Sequence, residues 1–97
     1  EVGTGAVLRG LDKLNGNVVD ITLGTNDITD FGDLKIRLTE CRYPAGNPSG
    51  DAFAGLEITD LGRSQVVFQG WMIASSPALS AMEHPRYDVW VLRCANS

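Results

Sequence analysis

The stretch DLKIRLTEC, Asp33 to Cys41, constrains this chain more than any other. Leu34, Ile36 and Leu38 alternate with Lys35, Arg37 and Thr39. Successive side chains of a strand point to opposite faces, so this period of two buries one set and wets the other. A sheet with one apolar face needs a second layer to cover it. The same period runs through AVLRGLDKL and NVVDITLG, where Val19, Ile21 and Leu23 alternate with Asp20 and Thr22. It returns in AFAGLEITD, where Ala52, Ala54, Leu56 and Ile58 share one face.

The segments between these runs carry turn chemistry. Asn15-Gly16 is a strong hairpin signal, since both residues can take positive φ. Gly32-Asp33 and Asp60-Leu61-Gly62-Arg63 read as turns, and RYPAGNPSGD, Arg42 to Asp51, reads as a loop. A helical reading of VLRGLDKLN, with Val7, Leu11 and Leu14 on one face, competes with a strand. Gly10 and the Asn-Gly turn favour the strand. QVVFQGWMIA and YDVWVLRC are apolar on both faces, which predicts central strands or a covered outer face. Only SPALSAME reads as helix, with Ser76 as N-cap, Pro77 at the first helical position and Pro85 as the stop. The expected architecture is all-β: one domain over 1–97, a small antiparallel sandwich or barrel of about seven or eight strands, with one short helix near the C-terminal end.

Cys41 and Cys94 are either two free buried thiols or one disulfide. Closing a loop of about fifty residues contributes roughly 3–5 kcal/mol in the chain-entropy account, and a small domain gains most from it. That favours the disulfide and, with it, an oxidising compartment. Cys41 has the parity of Lys35 and Arg37, the wet face. A bulge after Leu38 would turn it inward; otherwise the disulfide sits on the outer side of the sheet.

A formal net charge of -4 and singly scattered Lys and Arg argue against nucleic acid and against an anionic membrane surface as partners. No apolar run is long enough for a spanning helix. The opening EVGTGAVLRG has neither the basic start nor the apolar core of a signal peptide, and suits a chain whose leader is gone.

The segment GWMIASSPALSAMEHPRYDVW, Gly70 to Trp90, gathers the groups that could carry chemistry. Ser75 or Ser76, His84 and Asp88 invite a triad. Ser76 serves better as a cap, however, and two helical turns would hold it about 10 Å from His84. A structural His84 is the preferred reading, with a small hydrolase using His84 and Ser75 or Glu83 as the alternative. Asp27, Asp30 and Asp33 lack the spacing of a calcium loop, and two Cys with one distant His cannot complete a zinc shell. No cofactor motif occurs. Glu83 and Asp88 could pair as acid and base; equally, Asp88 could meet Arg86 or Arg93 on the surface. Most of the aromatics are expected in the core. Trp71, Ser75, Ser76, Glu83, His84, Arg86, Tyr87 and Trp90 form the candidate interaction surface, since Trp, Tyr and Arg are enriched at protein interfaces.

AVLRGLDKLNG, FGDLKIRLTECRYP and GWMIASSPALSAMEHPRYDVWVLRC together resemble the bacterial family called domain of unknown function 2155. The likeness spans most of the chain apart from Ala45–Asp51 and Asp60–Ser64. It implies a small exported protein of an alphaproteobacterial envelope, with a cysteine pair matching Cys41 and Cys94. It supplies no catalytic residues. Its genes often stand near one for a respiratory complex I accessory subunit, which adds an accessory role at an inner-membrane complex to the expectations. The leading expectation is a non-catalytic periplasmic domain that binds a protein or envelope component.

Overall fold

A computed structural model describes residues 1–47, 50–76, 82 and 84–95. Seven strands follow one another: β1 (Gly5–Asp12), β2 (Asn17–Gly24), β3 (Ile28–Phe31), β4 (Leu34–Arg42), β5 (Phe53–Asp60), β6 (Gln65–Ile73) and β7 (Tyr87–Ala95). They make two antiparallel sheets, β2-β1-β7 and β3-β4-β5-β6, packed face to face as a sandwich. The all-β expectation holds. The helix expected from Ser76 to Glu83 falls on 77–81 and 83, outside the described residues. Ser76 itself closes a turn, its N–H donating to the Ile73 carbonyl at 3.2 Å.

The alternation places the core where the pattern predicts. Leu34, Ile36 and Leu38 of β4 are fully buried, as are Ala54 and Ile58 of β5, and Leu56 is 1 % exposed. They face Ala6 and Leu8 of β1 and Val89 and Val91 of β7 across the sandwich. Each buried branched aliphatic side chain contributes roughly 1.5–3 kcal/mol of transfer free energy. The core is mainly aliphatic. Of the aromatics expected there, Tyr43 and Tyr87 are buried, whereas Phe31, Phe68 and Trp90 are half-buried and Phe53 and Trp71 are exposed.

β4 changes parity after Leu38, so the inward of the two readings for Cys41 is the one formed. Leu38 pairs with Leu56, but Glu40 pairs with Gly55, so Thr39 is an extra residue. This bulge swings Cys41 into the core, where it is fully buried. There it bonds Cys94 of β7, with the Cα atoms 5.7 Å apart. The bridge therefore ties one sheet to the other.

Three local expectations change. The β1–β2 hairpin has a four-residue loop, Lys13–Gly16, and of Asn15 and Gly16 only Gly16 takes positive φ (77°). Asn15 instead accepts the Asn17 N–H on its side chain at 2.9 Å, as in an Asx turn. The segment before Gly32 is also a strand: β3 pairs with β4 through the two-residue turn Gly32-Asp33. Lastly, β6 and β7 are edge strands of their sheets, not central ones. The apolar residues on the outer face of β6 are left in solvent, with Val66 57 % and Trp71 44 % exposed.

Candidate interaction face and the buried histidine

The two ends of the sandwich have different chemistry. At one end the β1–β2, β3–β4 and β5–β6 turns meet the chain entering β7. Here lie the buried polar residues Asp12, Asp60 and His84. His84 Nδ1 accepts the backbone N–H groups of Arg86 at 3.0 Å and Tyr87 at 3.3 Å. Those groups can only donate, so Nδ1 carries no proton and the ring hydrogen sits on Nε2. Nε2 donates it to Asp60 Oδ2 at 2.8 Å. This hydrogen bond from His84 holds the Asp60 carboxyl below the ordinary carboxylate range; burial acts in the opposite direction, and the N–H groups of Arg63 and Gly62 assist the lowering. Asp12 is likewise lowered, chiefly by the Arg86 guanidinium, which grips both its oxygens at 3.2 and 2.9 Å.

Tyr87 fills the space between these pairs. Its ring meets Phe31 edge-on at 5.4 Å and lies 5.2 Å from the His84 ring, with the Arg86 guanidinium 5.0 Å from its centroid. Its hydroxyl accepts the Asp33 N–H at 3.2 Å, fastening the β3–β4 turn. Gly32 is required there twice over. Its φ is 58°, and an added Cβ would collide with the Tyr87 phenol. The Lys13 ammonium completes the cluster by donating to the His84 carbonyl at 2.8 Å.

This arrangement locks structure and leaves the ring no free nitrogen. A shallow recess of about 270 Å³ beside the cluster is lined by Lys13, Leu14, Pro85 and Arg86. The triad, disfavoured from the sequence, is not formed through His84, whose ring nitrogens meet Asp60 and backbone N–H groups. The Ser75 hydroxyl donates to Asp51, which also takes the Ser75 N–H at 2.9 Å. Asp88, expected to meet Arg86 or Arg93, lies 3.7 Å from Lys13, which the hairpin loop brings close, while Arg86 is committed to Asp12. Among the described residues no group of His, Cys, Asp or Glu could hold a metal ion.

The other end presents a side-chain row on the outer face of the four-stranded sheet. Val2 bridges Arg42 as a short extra strand segment, Arg42 pairs with Phe53, and Phe53 pairs with Ile73. Directly opposite residues share a face, so these four stand side by side. Trp71, two positions before Ile73, completes the patch, with the Arg42 guanidinium 6.0 Å from its ring. Cys41, next to Arg42 in β4, faces the core on the other side of the sheet, so the disulfide anchors this face from beneath.

The eight residues expected as one surface are thus distributed. Trp71 belongs to the exposed row; Trp90 is half-buried on β7 of the other sheet; Ser75 is exposed and Ser76 half-buried at the β6 end. His84 and Tyr87 are buried and Arg86 half-buried at the opposite end, and Glu83 lies outside the described residues. Val2, Arg42, Phe53 and Ile73 were missed. Phe53 could have been found: it holds the wet parity of β5, opposite to Ala54 and Leu56.

The family described as "Uncharacterized protein conserved in bacteria (DUF2155)" matches residues 6–94. An uncharacterized protein of Rickettsia prowazekii (strain Madrid E) is 30 % identical over 94 residues, covering 94 % of this chain; the chain spans 61 % of that relative's length. No solved structure matches it.

Proposed function

The chain belongs to the DUF2155 family of bacterial proteins, and we propose that it is a non-catalytic, exported binding domain that docks a protein or envelope component on the face around Trp71. The observation that carries this reading is the Val2, Arg42, Phe53, Ile73 and Trp71 cluster. Val2, Phe53 and Trp71 stand in solvent beside Arg42, with Ile73 half-buried among them, the composition of an interface centre. The disulfide supports an oxidising compartment, the bacterial periplasm, where such bonds persist. The His84 network has the opposite character: its donors and acceptors are satisfied internally, as suits a structural clamp.

The test is capture from envelope extract with the intact protein, comparing wild type with Phe53→Ala/Trp71→Ala. Both residues are exposed, so the variant should fold and keep its melting temperature. Loss of the captured component in the variant is the expected result; equal capture by both would overturn the choice of face. Recovery of subunits of an inner-membrane respiratory complex would make that complex the partner. Fractionation of cells into periplasm and cytoplasm checks the compartment.

A further inference from the structure

Residues Glu1 to Thr4 cross from one sheet to the other. Gly5 and Ala6 of β1 pair with Ala95 and Cys94 of β7, and the Thr4 N–H donates to the Ala95 carbonyl at 2.9 Å. One residue earlier the chain has reached β4. The Gly3 N–H donates to the Cys41 carbonyl at 2.7 Å, and Val2 bridges Arg42. The Glu1 nitrogen donates to the Tyr43 carbonyl at 2.9 Å, and the Tyr43 N–H returns a bond to the Glu1 carbonyl at 3.0 Å. This crossing runs beside the disulfide, which spans the same gap, and Gly3 touches both of its halves. It bonds the Cys41 carbonyl, and a Cβ added to it would stand 3.1 Å from Cys94 Cβ and 2.8 Å from the Ala95 carbonyl oxygen. Beneath it Cys41 is fully buried and Cys94 is 7 % exposed.

The cover is lightly fastened. Glu1, Val2 and Thr4 are exposed, and Gly3, the buried one of the four, has no side chain. A segment that buries little apolar area opens for a fraction of the free energy of global unfolding. A disulfide exchanges only when a thiolate can reach one of its sulfurs, so access governs the rate.

We propose that the Glu1–Thr4 segment is a shutter on the Cys41–Cys94 bond: when it lifts, an external thiol reduces the bond in a protein that is otherwise folded. The external thiolate attacks the Cys94 sulfur, the more exposed of the pair. A new S–S bond forms between them, the Cys41–Cys94 bond breaks, and Cys41 leaves as a thiolate that takes up a proton. A second external thiolate attacks the sulfur of the first. Their disulfide forms, and Cys94 leaves and is protonated in turn. Two electrons enter the protein and two external thiols are oxidised to one disulfide. The shutter also carries Val2, a member of the exposed row around Trp71, so its position sets whether that row is complete. This link rests on docking at the Trp71 face; the shutter does not.

The test is reduction of the oxidised protein by reduced glutathione under native conditions, quenched by alkylation and followed by mass spectrometry. The rate is expected to rise in proportion to glutathione and to exceed the rate of global unfolding, measured separately by stopped-flow denaturation. Gly3→Ala forces the segment away from Ala95 and Cys94 and should speed reduction by at least about tenfold. Gly32→Ala loosens the far end of the sandwich and is the control: it should speed unfolding and leave reduction unchanged. The first glutathione adduct should map to Cys94. Reduction no faster than global unfolding, no acceleration by Gly3→Ala, or equal acceleration by both glycine variants would each overturn the shutter; a first adduct on Cys41 would overturn the point of attack. Oxidised Gly3→Ala should also capture less of the envelope component than wild type, and full capture would sever the link to the Trp71 face. Phe53→Ala/Trp71→Ala should lose capture yet be reduced at the wild-type rate, so the docking face and the shutter fail separately.

Discussion

Breaking the bond between Cys41 and Cys94 is expected to cost this protein a large share of its stability. The two residues are 53 apart in sequence. Chain-entropy bookkeeping for a loop of that length removes about 14 cal/mol/K from the unfolded ensemble, or about 4 kcal/mol at 25 °C. Domains of this size are stable by only about 5–15 kcal/mol, so the reduced protein should sit near the edge of folding. Its melting temperature should fall by roughly 15–30 °C, at 4–8 °C per kcal/mol. Equilibrium denaturation of oxidised and reduced protein, with far-ultraviolet circular dichroism as the probe, measures the difference. Cys41→Ala/Cys94→Ala should lose more than reduction does, because it also deletes two sulfur atoms from a packed site where Cys41 is fully buried. Oxidised and reduced protein unfolding within about 1 kcal/mol of one another would refute the entropic reasoning. It would mean that the reduced, unfolded chain retains its own constraint between the two segments.

Three further outcomes follow from the same geometry. Gly32→Ala should destabilise by roughly 1–3 kcal/mol, measured by denaturant unfolding, because the site combines a φ of 58° with the Tyr87 phenol where a Cβ would go. Acid should unfold the protein from its carboxylates: Asp60 and Asp12 are held below their ordinary range when folded. Their stabilisation is complete above the unfolded value, about 3.9, and is lost as pH falls through the lower folded values. A pH–melting curve should show this limb, and Asp60→Asn should flatten it. Acrylamide should quench Trp71 more readily than Trp90, so Trp71→Phe should leave a less quenchable emission; the reverse order would contradict the exposed row.

What the sequence disclosed, and what it hid, divides by range. Period and parity are local, so β4 and β5 could be read directly, and the parity conflict at Cys41 left either a bulge after Leu38 or a disulfide outside the sheet, of which the bulge at Thr39 is the one formed. The strand β3 was hidden by its own turn residues. Asp27, Asp30 and Asp33 suit turns, yet Phe31 fills space above Gly10, and that packing makes a strand of the segment. Strand order is not encoded in hydropathy, so the apolar character of both faces of β6 suggested a central strand when it belonged to an exposed edge. The Asp60–His84 pair joins residues 24 apart, and Asp12–Arg86 joins residues 74 apart. Each aspartate is adequate as a turn residue, and nothing nearby in sequence reveals the distant partner.

The way the two sheets are threaded also decides when each can form. β3, β4, β5 and β6 follow one another through local connections, so this layer can zip up by successive hairpins soon after it is synthesised. The other layer cannot. Its central strand, β1, is the first of the seven, and one of its two neighbours, β7, is the last. Closing that long loop is entropically slow and is not rewarded until β7 arrives. Until then β1 and β2 remain an unsupported hairpin beside an uncovered apolar face, a state that aggregates readily and that a chaperone would hold open. The docking of β7 is therefore expected to come last in folding, and the same step carries Cys94 to Cys41.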